Sequence, residues 1–401
     1  MYKRVISMLL VVLMIAGMTA CAKSDNAVSP ASSPDPSAKN VSTEEIKIGL
    51  YGTITGSNAL AGEMMEKGGQ LAVKQINEAG GVNGHPVKLV VYDDKSTPEG
   101  AVKAVTRLVD VDKVTAIVGS NSSPNILATT QITEEAKVIQ VGGGTSPKYT
   151  NAGFNYIFRG TANADLPNKA FVDTMKGMGI KKVALFYVAS EYGKSGIESV
   201  KALLGSDVQV ITEETYQATD TDYTGQIAKI INAKPEGVIV YGMTNELALS
   251  LKQFRRNGYE GYVFGPEGLG VPDIIKVAGD AANGVIFGSG AVIPASVEDA
   301  TNEVEKAMLK AFVAEYGALP VSDVAYRGYD SVVLICEALR NATDINNPDS
   351  IREAFLNIKA FPGIAGTFNF SDGSGDGLKE ARTYIIDGGK NVLYKDWKAN
   401  K

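Results

Sequence analysis

Ser120, Asn121, Ser122, Ser123 and Pro124 stand between an apolar, β-branched run at 114–119 (VTAIVG) and a stretch whose apolar positions Ile126, Leu127, Ile132 and Ala136 recur at helical spacing. That pattern predicts a strand handing over to a helix, with Pro124 in the helix's first turn. The first N–H groups of such a helix lack intrahelical partners and its dipole is positive there, so hydroxyls beside it suit an anion such as a carboxylate. Ser122 or Ser123 can also serve simply as an N-cap, a common role of serine at this position. A second hydroxyl-bearing loop, 142–147 (GGGTSP), follows the apolar run 138–141. Its three glycines let a ligand approach the backbone. Asp93 and Asp94, after an earlier strand, read as ties for their own loop. Acids in comparable ligand-facing loops come later, at 189–193 (ASEYG) and 265–268 (GPEG), with 243–245 (MTN) between them. One set of loops suits an anionic group and the other a cationic one.

The elements that must position these loops alternate along the chain. Strand-like runs at 46–51, 87–92, 114–119 and 138–141 are separated by amphipathic stretches at 62–78 and 99–108. A second series has strands at 182–188, 208–211, 237–241, 262–264 and 284–287, with helices near 193–204, 223–232 and 246–256. Short β-branched strands alternating with helices predict parallel sheets covered on both faces. The expected fold class is therefore α/β, with two doubly wound parallel-sheet lobes. The series divide near 159–161, and helical segments at 298–317 and 323–342 are expected to return to the first lobe's surface. Three crossings would then form a hinge. Lobe 1 is expected to comprise 44–160 and 290–366, and lobe 2 to comprise 161–289 and 367–401. Ligands of open parallel sheets sit at the carboxyl ends of strands. The cleft-lining candidates are accordingly Asn121, Ser122, Gly144, Tyr192 and Thr244, with Asp165 a lesser one in a helix first turn.

The N-terminus falls outside this pattern. Lys3 and Arg4 precede an apolar segment at 5–18, too short for a membrane span. Residues 18–21 (MTAC) resemble a bacterial lipobox, so residues 1–20 are expected to be a signal peptide and Cys21 to carry lipid. Residues 21–43, with Pro30, Pro34 and Pro36 among serines and alanines, read as a flexible tether. This predicts an extracytoplasmic body anchored to a membrane by lipid only. Losing Lys3 and Arg4 with the signal takes the formal charge from −6 to −8. An acidic body without a basic run argues against nucleic acid.

Catalysis finds little support. The one histidine, His85, precedes the second strand at the amino end of the sheet, and Cys336 lies on an apolar helical face. The Gly193-Lys194-Ser195 triplet lacks the first glycine of a phosphate loop, since Val188 stands there, and no Gly-x-Gly-x-x-Gly follows the first strand. No metal-ligand spacing is present. The reading is a binding protein with no cofactor and no enzymatic activity.

Several stretches together resemble the leucine/isoleucine/valine-binding family of ABC-transporter solute-binding lipoproteins: 55–62 (TGSNALAG), 71–84 (LAVKQINEAGGVNG), 92–94 (YDD), 118–120 (VGS) and 265–268 (GPEG). The resemblance spans about residue 44 to the C-terminus. It implies a type I periplasmic-binding-protein fold closing on a neutral α-amino acid, which is delivered to an ABC permease. Carried over by position, Ser123 and Thr145 would hold the ligand carboxylate. The Gly143 carbonyl and Glu267 would take its ammonium, and Tyr192 would close over it. Ala61, 243–245 (MTN) and 322–325 (SDVA) stand where the family carries aromatic residues, so the clamp is kept and the side-chain pocket rebuilt. That fits a branched-chain-like, larger or aromatic side chain. A freely opening cleft suits a monomer, and a sensory receptor module of the same fold is the competing expectation.

Overall fold

The computed structural model describes residues 44–399, apart from the side chains of Thr244 and Asn245. The expectations for Cys21, the signal peptide and the tether lie outside the described residues. Strands β1 (Ile46–Gly52), β2 (Val87–Asp93), β3 (Ala116–Gly119), β4 (Ile139–Gly142) and β5 (Ile157–Arg159) form a parallel sheet in the order β2-β1-β3-β4-β5. Strands β3 and β4 are buried at every position, as apolar strands covered on both faces must be. Strands β6 (Lys182–Val188), β7 (Gln209–Tyr216), β8 (Gly237–Tyr241), β9 (Tyr262–Gly265) and β10 (Ile286–Ser289) form the parallel part of a second sheet. A small antiparallel pair, β11 (Phe361–Pro362) and β12 (Thr367–Phe368), precedes β13 (Arg382–Asp387) and β14 (Lys390–Leu393). These last two complete the second sheet in the order β14-β13-β10-β9-β8-β6-β7, both pairing antiparallel. The fold is therefore two α/β lobes with largely parallel sheets, and the antiparallel edge is an addition that the alternating pattern did not show.

Helices α1 (Ala59–Glu78), α2 (Pro98–Arg107), α3 (Ser123–Leu127), α4 (Thr130–Glu135), α5 (Asp165–Gly177), α6 (Glu191–Leu204), α7 (Thr224–Ala233), α8 (Thr244–Arg256), α9 (Pro272–Ala278), α10 (Glu303–Tyr316), α11 (Val324–Asn341), α12 (Pro348–Leu356) and α13 (Tyr394–Ala399) connect the strands. Three expectations need correction. The helix after the serines is two short pieces, because Thr129 turns its hydroxyl into a buried network with Tyr51 and Gln140. Helix α11 does not lie on the lobe surface; Val324, Ala325, Tyr326, Asp330, Ser331 and Cys336 on it are buried. The last crossing falls after residue 378 rather than at 366–367, because Phe368, Phe370 and Leu378 pack into the first lobe's core.

Helix α11 reaches that depth through glycine. A Cβ on Gly68 of α1 would lie 1.9 Å from the Ala325 carbonyl oxygen, and one on Gly328 would lie 2.1 Å from that of Met65. The two helices therefore touch backbone to backbone. A Gly68→Ala variant must push them apart, at a cost of about 1–3 kcal/mol. A lower urea midpoint with an unchanged m-value is the expected result.

Candidate functional site

The strand-end loops of lobe 1 are stitched into one surface. Thr53, after β1, donates its backbone N–H to Asn121 Oδ1 at 3.2 Å, and its hydroxyl also meets that side chain. Gly143 N–H reaches the Ser120 carbonyl at 2.9 Å, and Ser146 N–H reaches Ser123 Oγ at 3.2 Å. Asp94 accepts from the Ser120 hydroxyl at 2.7 Å, and Asp93 ties down Thr55 and Lys95, as loop ties should.

Behind the glycine loop lies Arg159, which is fully buried at the end of β5. Its guanidinium donates to the Gly144 and Ser146 carbonyls, to Thr150 Oγ1 and to Asp376 Oδ1, and it stacks 4.0 Å from the Tyr149 ring centroid. Asp376 Oδ2 also accepts from Asn163, beyond the first crossing. The loop that carries Thr145 is thus clamped from beneath by a paired, hydrogen-bonded charge.

A cavity opens between the lobes, against the crossing segments at Gly160–Ala162 and Ser289–Ala291. Thr145 lines it from lobe 1 and Glu267 from lobe 2. Ser123 does not line it. Its Oγ turns toward Ser146 N–H and lies only 2.6 Å from where a Gly144 Cβ would be. Asn121 faces Thr53, and the Gly144 carbonyl is taken by Arg159 and Tyr149. Ser122 caps α3 through its backbone position alone, without a side-chain cap bond. Asp165 opens α5 and bonds Ser199 of α6 rather than lining this cavity. The Thr244 side chain lies outside those described. Tyr192 packs 5.3 Å from Tyr241, whose hydroxyl donates to Asn168. Burial, with the negative charge of Glu267 adding to it, pushes the Tyr192 phenol well above its usual value, so it stays a hydrogen-bond donor.

Two further residues enter the cleft. Arg327, on the second turn of α11, donates from one terminal nitrogen to the Gly143 carbonyl at 3.0 Å. Its Nε and other terminal nitrogen donate to Asp323 Oδ2 at 3.0 and 2.6 Å. That second nitrogen also stands 3.9 Å from Glu267 Oε1, an ion pair across the two lobes. Lys148 and Glu191 form another, more exposed one. The Glu267 side chain is only 15 % exposed. Burial raises its pKa above the ordinary carboxylate value, against the opposing pull of Arg327. Asp323 and Arg327 could have been noticed as an acid–arginine pair four residues apart, but such a pair usually marks a solvated helix face.

A family model for periplasmic binding proteins matches residues 45–390. The chain belongs to the periplasmic binding protein family. Within that family it is 31 % identical, over 83 % of its length and 87 % of the relative's, to a leucine-, isoleucine-, valine-, threonine- and alanine-binding protein of Pseudomonas aeruginosa. Among solved structures it resembles a branched-chain amino acid transporter substrate-binding protein of Streptococcus pneumoniae in complex with isoleucine, at 29 % identity and a TM-score of 0.77, covering 87 % of this chain and 98 % of that one. A leucine-binding protein of Thermotoga maritima gives 26 % and 0.76, covering 87 % and 97 %. These relatives are solute-binding proteins, and the family's type I fold is the one described above.

Asp330 lines the same cavity from α11 and accepts from the Ile364 N–H at 3.0 Å. Burial, with Glu305 as a like-charged neighbour, pushes its carboxyl up to about 7 from an ordinary 3.8. The folded protein therefore holds a proton that the unfolded chain has already lost. This contribution to stability is full below pH 3.8 and is lost as pH rises through about 7. An Asp330→Asn variant is expected to flatten that fall between pH 4 and 7, as urea unfolding at several pH values would show.

Proposed function

We propose that this protein is an extracytoplasmic solute receptor of an ABC importer, held to the membrane by lipid on Cys21, which binds a neutral α-amino acid between its lobes and hands it to a permease. The observation that carries the reading is that Thr145 and Glu267, from opposite lobes, line one cavity against the crossing segments. The ligand's carboxylate faces the Thr145 wall and its ammonium faces Glu267, with Tyr192 beside Glu267. A ligand that touches both walls only when they approach shifts the hinge equilibrium toward closure by its differential affinity. No chemical step is needed, and the protein is not an enzyme. Relatives that bind branched-chain amino acids support this ligand class, and the relatives' substrate-binding role supports delivery to a permease. A thermal-shift screen of the twenty standard amino acids tests it, since a ligand that binds only the folded state raises the melting temperature by mass action. A flat response to all twenty would sink the reading.

A further inference from the structure

Three carboxyl side chains and one guanidinium line the cavity: Glu267, Asp323, Asp330 and Arg327. Arg327 is the one cation among these four. An anionic group entering among three acids needs a counter-charge, because a desolvated carboxylate held by neutral hydroxyls alone is costly to bury. Thr145, Thr161 and Ser289 bring hydroxyls to the lining, the last of them already donating to the Ala291 carbonyl, and Ser123 is turned away from the cavity. The guanidinium lines the same cavity, bonded to the carbonyl of Gly143, two residues from Thr145. Of its five N–H donors, three are committed, two to Asp323 and one to Gly143. One hydrogen on each terminal nitrogen remains, and terminal N–H groups of this kind are the ones that grip carboxylates.

We propose that Arg327 supplies the positive charge of the ligand-carboxylate subsite, so that the acid group is held by Arg327 and Thr145 in place of the Ser123–Thr145 pair. The same contact occupies one lone pair of the Gly143 carbonyl and sets a positive charge beside it, so the ammonium subsite centres on Glu267. The cleft then selects its ligand by a free acid group first. This rests on the amino-acid reading above and deepens it.

The test compares the twenty standard amino acids with the α-carboxamide of each one that stabilises the native protein, by calorimetric titration. Replacing the acid by its amide keeps the side chain and, at a pH low enough to protonate the α-amine, the ammonium, while it removes the negative charge and turns one oxygen into an N–H₂ group. The native protein is expected to prefer acid over amide at least tenfold. In Arg327→Gln that preference should shrink to within about threefold, while Arg327→Lys retains part of it. The native comparison stands even where a variant folds poorly. Amino acids that bind no better than their amides overturn the assignment of Arg327 and leave the amino-acid reading intact. An acid preference that survives unchanged in Arg327→Gln overturns it as well. A native protein that binds none of the probes overturns both.

Discussion

Glu267→Gln is expected to weaken amino-acid binding thirtyfold or more. The carboxylate is only 15 % exposed and faces the cavity beside the Arg327 guanidinium. Glu267 is the lobe 2 carboxylate that lines the cavity, and it is the charged partner proposed above for the ligand ammonium. Removing one partner of a buried charge pair costs about 2–5 kcal/mol, which spans roughly thirtyfold to several thousandfold in dissociation constant. The effect also has a pH signature. Burial raises the carboxyl's pKa, so it protonates at a higher pH than an exposed glutamate, and affinity should begin to fall earlier on acidification. Titrations of native protein and Glu267→Gln across the acidic range would show a steep pH dependence in the first and a shallow one in the second. Equal affinity in the two proteins removes Glu267 from the site.

Asp376→Asn should carry the largest cost to stability. Arg159 is fully buried, and Asp376 is its only charged partner among the described residues, at 2.6 Å. The amide leaves a buried guanidinium uncompensated, a loss of about 3–5 kcal/mol. It also places an N–H₂ group at one of the two oxygens through which Asp376 now accepts from Arg159 and Asn163. Because Arg159 clamps the Gly144 and Ser146 carbonyls, the loop carrying Thr145 should loosen with it. The expected outcome is a sharply lower urea midpoint together with weaker ligand binding. A variant that kept native stability would show that the other four Arg159 contacts are sufficient.

Much of the architecture was readable before any coordinates. Strands such as β6 and β8 announce themselves as apolar β-branched runs, because a strand buried on both faces needs no polar alternation. Element β5 was not readable, since three residues are too few to set a period. The antiparallel edge β13–β14 hid for a different reason: it lies past the alternating series, and its partner β10 is nearly a hundred residues upstream. The crossing after residue 378 depended on where Phe368 and Phe370 find their core, which no local pattern states.

The site divides in the same way. The residue types of its loops and their order along the chain led to the expectation of hydroxyls and glycine backbone on one wall and an acid on the other, because strand-end loops face the cleft in any open parallel sheet. Asp323 at the N-cap of α11, with Arg327 and Asp330 within that helix, also lines the cavity from the first lobe. Tertiary packing alone decided which of those groups reach the cavity. The short α3 and the bond to Ser146 hold Ser123 away, and Arg159 claims the Gly144 carbonyl. The backbone contact of α11 with α1 at Gly68 and Gly328 sinks what reads as a surface helix, and Arg327 thereby arrives between Gly143 and Glu267. Periodicity along a chain records which face of an element is apolar; how deeply that element sits, and what a long side chain then reaches, is set by contacts between residues hundreds of positions apart.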